Sequence, residues 1–107
     1  MKYISGLSSP VFNHPGPRAI AILGSTGSIG TSALRVAAKN PQHLRIVALA
    51  GARNMALLAR QADQFRPPYL GVLEEQHART LRDLLPAGYT PRIFIGLDGY
   101  TALATLP

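Results

Sequence analysis

Cysteine is absent from this chain, which removes disulfides, a thiol nucleophile and cysteine-held zinc together. A reducing, cytoplasmic setting fits that composition. Tryptophan is absent too, and aromatic residues make up only 7% of the 107 positions, with no stacking platform of the kind that grips nucleic-acid bases. No run approaches the ~18 consecutive apolar residues of a membrane-spanning helix. Nor does the start of the chain carry the ~7–15-residue apolar stretch and small-residue cleavage site of a secretory signal. The most uneven shortage is of acid. From Met1 to Ala62 there are seven cations (Lys2, Arg18, Arg35, Lys39, Arg45, Arg53, Arg60) and no carboxylate, and all five acids fall later, among four arginines. Such a segment attracts phosphate-bearing ligands, whether nucleotide, nucleic acid or lipid headgroup. The competing explanation is that acids in a further part of a longer chain balance it.

What is present is enough apolar residue, 47%, to build one core. Residues 1–18, rich in proline, glycine and serine, have little periodicity and read as a flexible leader, so ordered structure is expected from Ala19. Ala19–Leu23 is a short apolar run ending at glycine, the mark of a strand buried on both faces of a parallel sheet. Helical spacing follows from Ser28, with Ile29, Ala33, Val36 and Ala37 as the inward stripe and Asn40-Pro41 as its stop. A second buried strand covers Leu44–Ala50. Asn54 is placed to cap a helix whose stripe is Met55, Leu58, Ala62 and Phe65. A third strand (Tyr69–Leu73), a third helix (Ala78, Leu81, Leu85, closed by Pro86), a fourth strand (Arg92–Ile95) and a helical stretch (Asp98–Leu106) complete the alternation. This order specifies an α/β fold, a Rossmann-like parallel sheet with helices on both faces. Such a domain normally has six strands; about four are readable, so a truncated piece of a larger domain is expected.

The first strand runs directly into Gly24-Ser25-Thr26-Gly27-Ser28-Ile29-Gly30. Gly24 allows a sharp turn, Gly27 lets a pyrophosphate approach without a Cβ in the way, and Gly30 lets the helix pack close to the sheet. The N–H groups of the first helical turn point at the anion, aided by the helix dipole. The Gly-x-x-Gly-x-x-Gly spacing is one residue longer at its front than the usual dinucleotide fingerprint, and with no lysine it is not a P-loop.

Enzymes that use NAD place an acid after the second strand to bind the ribose 2′-hydroxyl. Here that segment is Gly51-Ala52-Arg53-Asn54. Arg53 can pair with a 2′-phosphate through its planar fork of donors, so NADPH is expected over NADH. Asn54 either donates to the same phosphate or caps the following helix. His14, His43 and His77 lack partners at ligand spacing and are expected to face solvent. Glu74-Glu75 are first-turn acids that suit a helix dipole. Tyr69, Tyr89 and Tyr100 have no lysine four positions on, so the Tyr-x-x-x-Lys pair of short-chain reductases is not seen.

The stretch Ile22–Gly30, with Asn40-Pro41 and Val47-Ala48-Leu49, closely resembles the opening of the 1-deoxy-D-xylulose 5-phosphate reductoisomerase family. By that resemblance Thr26, Gly27, Ser28 and Ile29 meet the pyrophosphate and ribose of NADPH, and Ala52, Arg53 and Asn54 hold its 2′-phosphate. Gly51-Ala52 stands where the family often has Ala-Gly, which leaves either Gly51 or Ala52 as the backbone contact, and arginine stands for a frequent lysine. The resemblance implies an NADPH-dependent oxidoreductase and isomerase of isoprenoid biosynthesis. It converts 1-deoxy-D-xylulose 5-phosphate to 2-C-methyl-D-erythritol 4-phosphate with Mg2+ or Mn2+, and is a homodimer without nucleic-acid or membrane partners. The division implied is a leader over 1–18 and part of an NADP-binding domain over 19–107, with the metal- and substrate-binding and C-terminal domains beyond Pro107. No catalytic residue and no metal ligand is assigned within the chain, and the chain alone is expected to be inactive. Two other readings are an NADP-binding segment of an extended short-chain reductase or epimerase, and a basic nucleic-acid-binding module.

Overall fold

The computed structural model describes residues 2–4, as backbone, and 18–96. Five strands and three helices alternate: β1 (Lys2–Ile4), β2 (Arg18–Leu23), α1 (Ser28–Lys39), β3 (Leu44–Ala50), α2 (Met55–Phe65), β4 (Tyr69–Val72), α3 (Glu75–Leu84) and β5 (Arg92–Ile95). The strands form one sheet in the order β1-β2-β3-β4-β5, every pair parallel. The four strands read from the sequence are all there, within a residue at their ends. The helical stretch expected over Asp98–Leu106 lies outside the described residues.

Right-handed crossovers between successive neighbouring strands place their helices on one side of the sheet. Leu34 and Ala37 of α1, Leu58 and Ala62 of α2, and Ala78 and Leu81 of α3 share one core with Ile20, Ile22, Ile46, Leu49, Leu70 and Val72. The opposite face is built from Ala21, Ala48 and Ala50, with Leu23, Tyr69 and Phe94 against them. Helix cover on both faces is therefore seen on one face among the described residues.

A bulge decides which residues of β3 join which face. Ile20 pairs with Ile46, but Ala21 pairs with Ala48, so Val47 is the extra residue. Strict two-residue alternation would send Leu49 to the face opposite Ile46. The inserted residue re-phases the strand, and Leu49 enters the helix-covered core while Ala48 and Ala50 line the other side.

The expected start of order at Ala19 is corrected in two places. Arg18 already belongs to β2, its N–H donating to the His43 carbonyl at 2.8 Å. Lys2–Ile4, assigned to the leader, forms an edge strand in register with Ile20–Ile22. Side-chain periodicity carries no sign of this, because the outer edge of β2 offers a row of backbone donors and acceptors that any short extended segment can pair.

The stripe expected for α1 is corrected as well. Its buried residues are Gly30, Leu34 and Ala37, whereas Ile29 and Val36 are 46% and 44% exposed. The expected stripes of α2 and α3 hold, with Met55, Leu58, Ala62, Ala78 and Leu81 buried and Phe65 and Leu85 packed against the core.

The far end of the sheet is tied by Tyr89, whose hydroxyl donates to the Pro67 carbonyl at 2.6 Å. The Arg66 guanidinium lies over its ring, 5.4 Å from the centroid. Burial pushes the phenol from 10.0 up to about 12, against the opposing pull of Arg66. A pKa raised by folding means that the neutral phenol is favoured in the folded state. Its contribution is complete below pH 10.0 and is lost as pH rises through about 12. Tyr89→Phe is expected to lower stability at neutral pH by about 1 kcal/mol and to flatten the alkaline loss of stability, both read from urea melts across pH.

Candidate functional site

The site grows from the carboxyl ends of β2 and β3. Gly24 leaves β2 at φ +81°, in the left-handed region that only glycine enters cheaply. The N–H groups of Gly24 and Ser25 then both donate to the Ala50 carbonyl at 2.8 Å, pinning the loop to the end of β3. Gly27 N–H returns to the Gly24 carbonyl at 3.1 Å and closes a tight turn. The side chain of Ser25 is fully buried. Its carbonyl accepts from Gln61 Nε2 at 2.9 Å.

Helix α1 opens at Gly27, which gives no side-chain cap, and no acid lies in its first turn. Thr31 takes the Gly27 carbonyl with both its N–H (2.8 Å) and its hydroxyl (2.7 Å). The N–H groups of Ser28, Ile29 and Gly30 have no acceptor among the described residues. Three donors and the positive end of the helix dipole therefore converge on one point.

The three glycines of the loop separate by what surrounds them. A Cβ on Gly30 would collide with the Gly24 carbonyl oxygen and stand 2.7 Å from Ser25 Cα, so α1 sits backbone against backbone on the loop. A Cβ on Gly27 would meet only ordinary contact, the Gly24 oxygen at 3.5 Å. The fold does not demand glycine there, at the position that opens the helix.

At the end of β3, Gly51 is buried and its N–H donates to the Gly71 carbonyl at 3.1 Å. A Cβ on it would press on Thr26 Cγ2 at 3.1 Å and Oγ1 at 3.3 Å. Ala52, Arg53 and Asn54 are exposed on the next turn. Asn54 Oδ1 accepts from Leu57 N–H at 3.0 Å and caps α2, which leaves the amide NH2 of the same side chain available as a donor. Capping and donation, alternatives in sequence, are compatible in space.

Thr26, Gly27, Ser28, Ile29, Gly51, Ala52, Arg53 and Asn54 thus occupy two adjacent turns at the carboxyl ends of β2 and β3, Thr26 standing where a Cβ on Gly51 would press. Ligands of open α/β sheets bind outside the carboxyl ends of the strands, the end of the sheet on which both turns lie. The model of the family described as 1-deoxy-D-xylulose 5-phosphate reductoisomerase matches residues 20–107. The chain belongs to this family.

Among curated relatives, the enzyme of this name from Nitratidesulfovibrio vulgaris (strain DP4) is 59% identical over all 107 residues, and that from Lawsonia intracellularis 50% identical over 105. The chain spans about a quarter of the length of either (26%). A solved reductoisomerase from Zymomonas mobilis in complex with NADPH superposes with TM-score 0.77 at 29% identity, covering 84% of this chain and 24% of that one. A second solved structure of the family, in complex with NADPH, fosmidomycin and magnesium, gives TM-score 0.70 at 31% identity over 80% of this chain and 21% of that one. Neither the short-chain reductase or epimerase reading nor the nucleic-acid reading is favoured by these matches.

Two contributors to the site are not among the residues singled out from sequence. Thr31 holds the cap of α1, and Gln61 holds the Ser25 carbonyl. The available signal for Gln61 was a polar residue lying beside Leu58 and Ala62 on the apolar stripe of α2. His43 is exposed, but His77 is only half exposed, with Nδ1 shielded from solvent; His14 lies outside the described residues. Glu74 and Glu75 are exposed at the start of α3, and the Glu74 carboxylate accepts from Gln76 Nε2 at 2.9 Å. Among the described residues no group of His, Cys, Asp or Glu is large enough to hold a metal ion, and no helix is long and apolar enough to cross a membrane.

The glycine contacts carry an expected outcome for stability. Alanine in place of a helical glycine ordinarily gains up to about 1 kcal/mol. Gly30→Ala is expected to reverse that sign and lose about 2 kcal/mol through the clash with Gly24 and Ser25. Gly27→Ala is expected to lose about 1 kcal/mol or less, as alanine is a poorer N-cap. Chemical denaturation of the two variants checks the difference.

Proposed function

We propose that this chain binds NADPH and forms the cofactor-binding part of a reductoisomerase. That enzyme converts 1-deoxy-D-xylulose 5-phosphate to 2-C-methyl-D-erythritol 4-phosphate. The observation that carries the reading is that three first-turn N–H groups of α1 have no acceptor among the described residues, beside a Gly27 where a Cβ would meet only ordinary contact. Helix dipole and aligned donors suit a diphosphate, and the room left by Gly27 lets it approach the main chain.

In this reading Thr26, Gly27, Ser28 and Ile29 hold the pyrophosphate and the ribose beside it. Arg53 takes the 2′-phosphate through its guanidinium and the Asn54 amide adds a second donor, while the Asn54 oxygen keeps the turn in place as the cap of α2. Ala52, exposed, supplies the backbone contact. Gly51, whose N–H is already spent on Gly71, makes room for Thr26. When bound, the nucleotide supplies the hydride for the reductive half of the reaction. The chain's own residues bind it, orient it and select the phosphorylated form.

The remainder of the reading belongs to the whole protein: a homodimer in the cytoplasm, with Mg2+ or Mn2+ holding the oxygens of the sugar phosphate. No described residue of this chain is placed to bind that metal, so no catalytic step is assigned to it, and the 107-residue chain by itself is expected to bind NADPH without turnover.

Fluorescence titration with NADPH and NADH tests the assignment. Hydrogen bonds to charged groups contribute about 1.5–3 kcal/mol each. Arg53→Asp is therefore expected to weaken NADPH at least about tenfold and to leave NADH nearly unchanged; an unaltered preference for NADPH contradicts the role of Arg53. Gly27→Ala is expected to abolish measurable NADPH binding while the chain remains folded.

A further inference from the structure

Ser25 and Gln61 are the two buried polar residues among those described, and they meet although 36 positions separate them. A glutamine buried on the apolar face of a helix is costly unless it finds a partner. Gln61 Nε2 finds it in the main chain of the glycine loop, while its Oε1 is buried without a partner among the described residues. Without Gln61, the Ser25 carbonyl would retain only the Thr31 hydroxyl at 3.4 Å, a group whose shorter bond goes to Gly27.

The consequence follows from peptide planarity. The Ser25 carbonyl and the Thr26 N–H belong to one trans peptide, no cis bond being present among the described residues, so they point in opposite directions. Holding the carbonyl inward with Gln61 turns the Thr26 N–H outward. That N–H has no acceptor among the described residues, and it precedes Gly27 and the free donors of α1.

We propose that Gln61 is a positioning residue for pyrophosphate binding: from α2 it fixes the Ser25–Thr26 peptide and aims the loop's first free N–H at the nucleotide, which it never touches. This rests on the reading that the loop binds NADPH. It also explains how α2, an element that begins at the 2′-phosphate turn, stays in register with the pyrophosphate turn. Both halves of the nucleotide site are then fixed by one helix.

The test uses the full chain, Gln61→Met, which keeps the volume and removes the donor, and Gln61→Glu, which keeps the shape and replaces the donor with an acceptor. Two probes are titrated: NADPH, and adenosine 2′-monophosphate, which carries the 2′-phosphate but no pyrophosphate. Both variants are expected to bind NADPH about tenfold more weakly, with adenosine 2′-monophosphate affinity held within about twofold. Equal weakening of both probes, or an NADPH affinity within about twofold of the parent, overturns the proposal. A measurement that needs no variant covers the case in which neither folds. The Gln61 side-chain amide resonances of the parent are expected to shift on saturation with NADPH and to stay put with adenosine 2′-monophosphate; no shift with NADPH sinks the idea. If the parent itself fails to bind NADPH, the cofactor assignment falls first, and that outcome is distinct from variants that bind as the parent does.

Discussion

The contact on which the rest of the site depends is the backbone-to-backbone approach of α1 to the loop before it. With Gly30 against Gly24 and Ser25, any side chain would collide with main-chain atoms that cannot move aside. That approach sets the rotation of the helix about its own axis. Gly30, Leu34 and Ala37 must face inward, and Ile29 and Val36, although apolar, are carried round to the solvent side. It also brings the first turn of α1 against the residues that follow β2, so its unpaired N–H groups lie close to the carboxyl end of that strand. One steric requirement thereby fixes the packing of the helix and the direction of its dipole together.

The sheet supplies the second constraint. The Ala50 carbonyl accepts two N–H groups from the glycine loop, so the end of β3 is part of the frame of that loop. The extra residue at Val47 has consequences at that end. Past the bulge, Leu49 feeds the helix-covered core and Ala50 lies on the small-residue face. Gly51 then follows in the one place where a Cβ would press on Thr26. A glycine at this position leaves room for a threonine side chain folded back from the facing turn.

Legibility from sequence followed the range of the interaction concerned. Asn54 as a cap and the strands Leu44–Ala50 and Arg92–Ile95 are governed by neighbours within a few residues, and they were readable. The α1 stripe is ambiguous in sequence because Ile29 and Val36, seven apart, satisfy helical periodicity as well as Leu34 and Ala37 do, and only the contact of Gly30 with Gly24 and Ser25 of the preceding loop breaks the tie. Lys2–Ile4 in an edge strand depends on backbone pairing, which leaves no mark on side-chain pattern. Gln61 is the clearest limit. Its partner is a carbonyl 36 residues away, and a main-chain acceptor has no letter in a sequence. The eight residues nominated for the site lie on two turns that the fold brings side by side; their role toward a phosphate is the proposal made above.

In the proposed function, charge separates what the glycine loop binds from what the Arg53 turn selects. Aligned N–H groups and a helix dipole attract a diphosphate in any dinucleotide, so the turn at Gly27 gives affinity without distinguishing one cofactor from another. Discrimination must arise where the dinucleotides differ, at the ribose 2′ position. An acid at that turn would bind a hydroxyl and repel a phosphate; this chain has no acid anywhere before Asp63. Arg53 and Asn54 lie on an exposed turn, where ordinary solvent screening weakens a lone guanidinium. A planar fork together with an amide anchored by its own helix cap offsets that loss through geometry, since both donors are presented from a backbone that the cap has already fixed. Under the proposed NADPH role, selectivity comes from a rigid turn carrying a cation, and the wider positive charge of the segment serves to draw the ligand in.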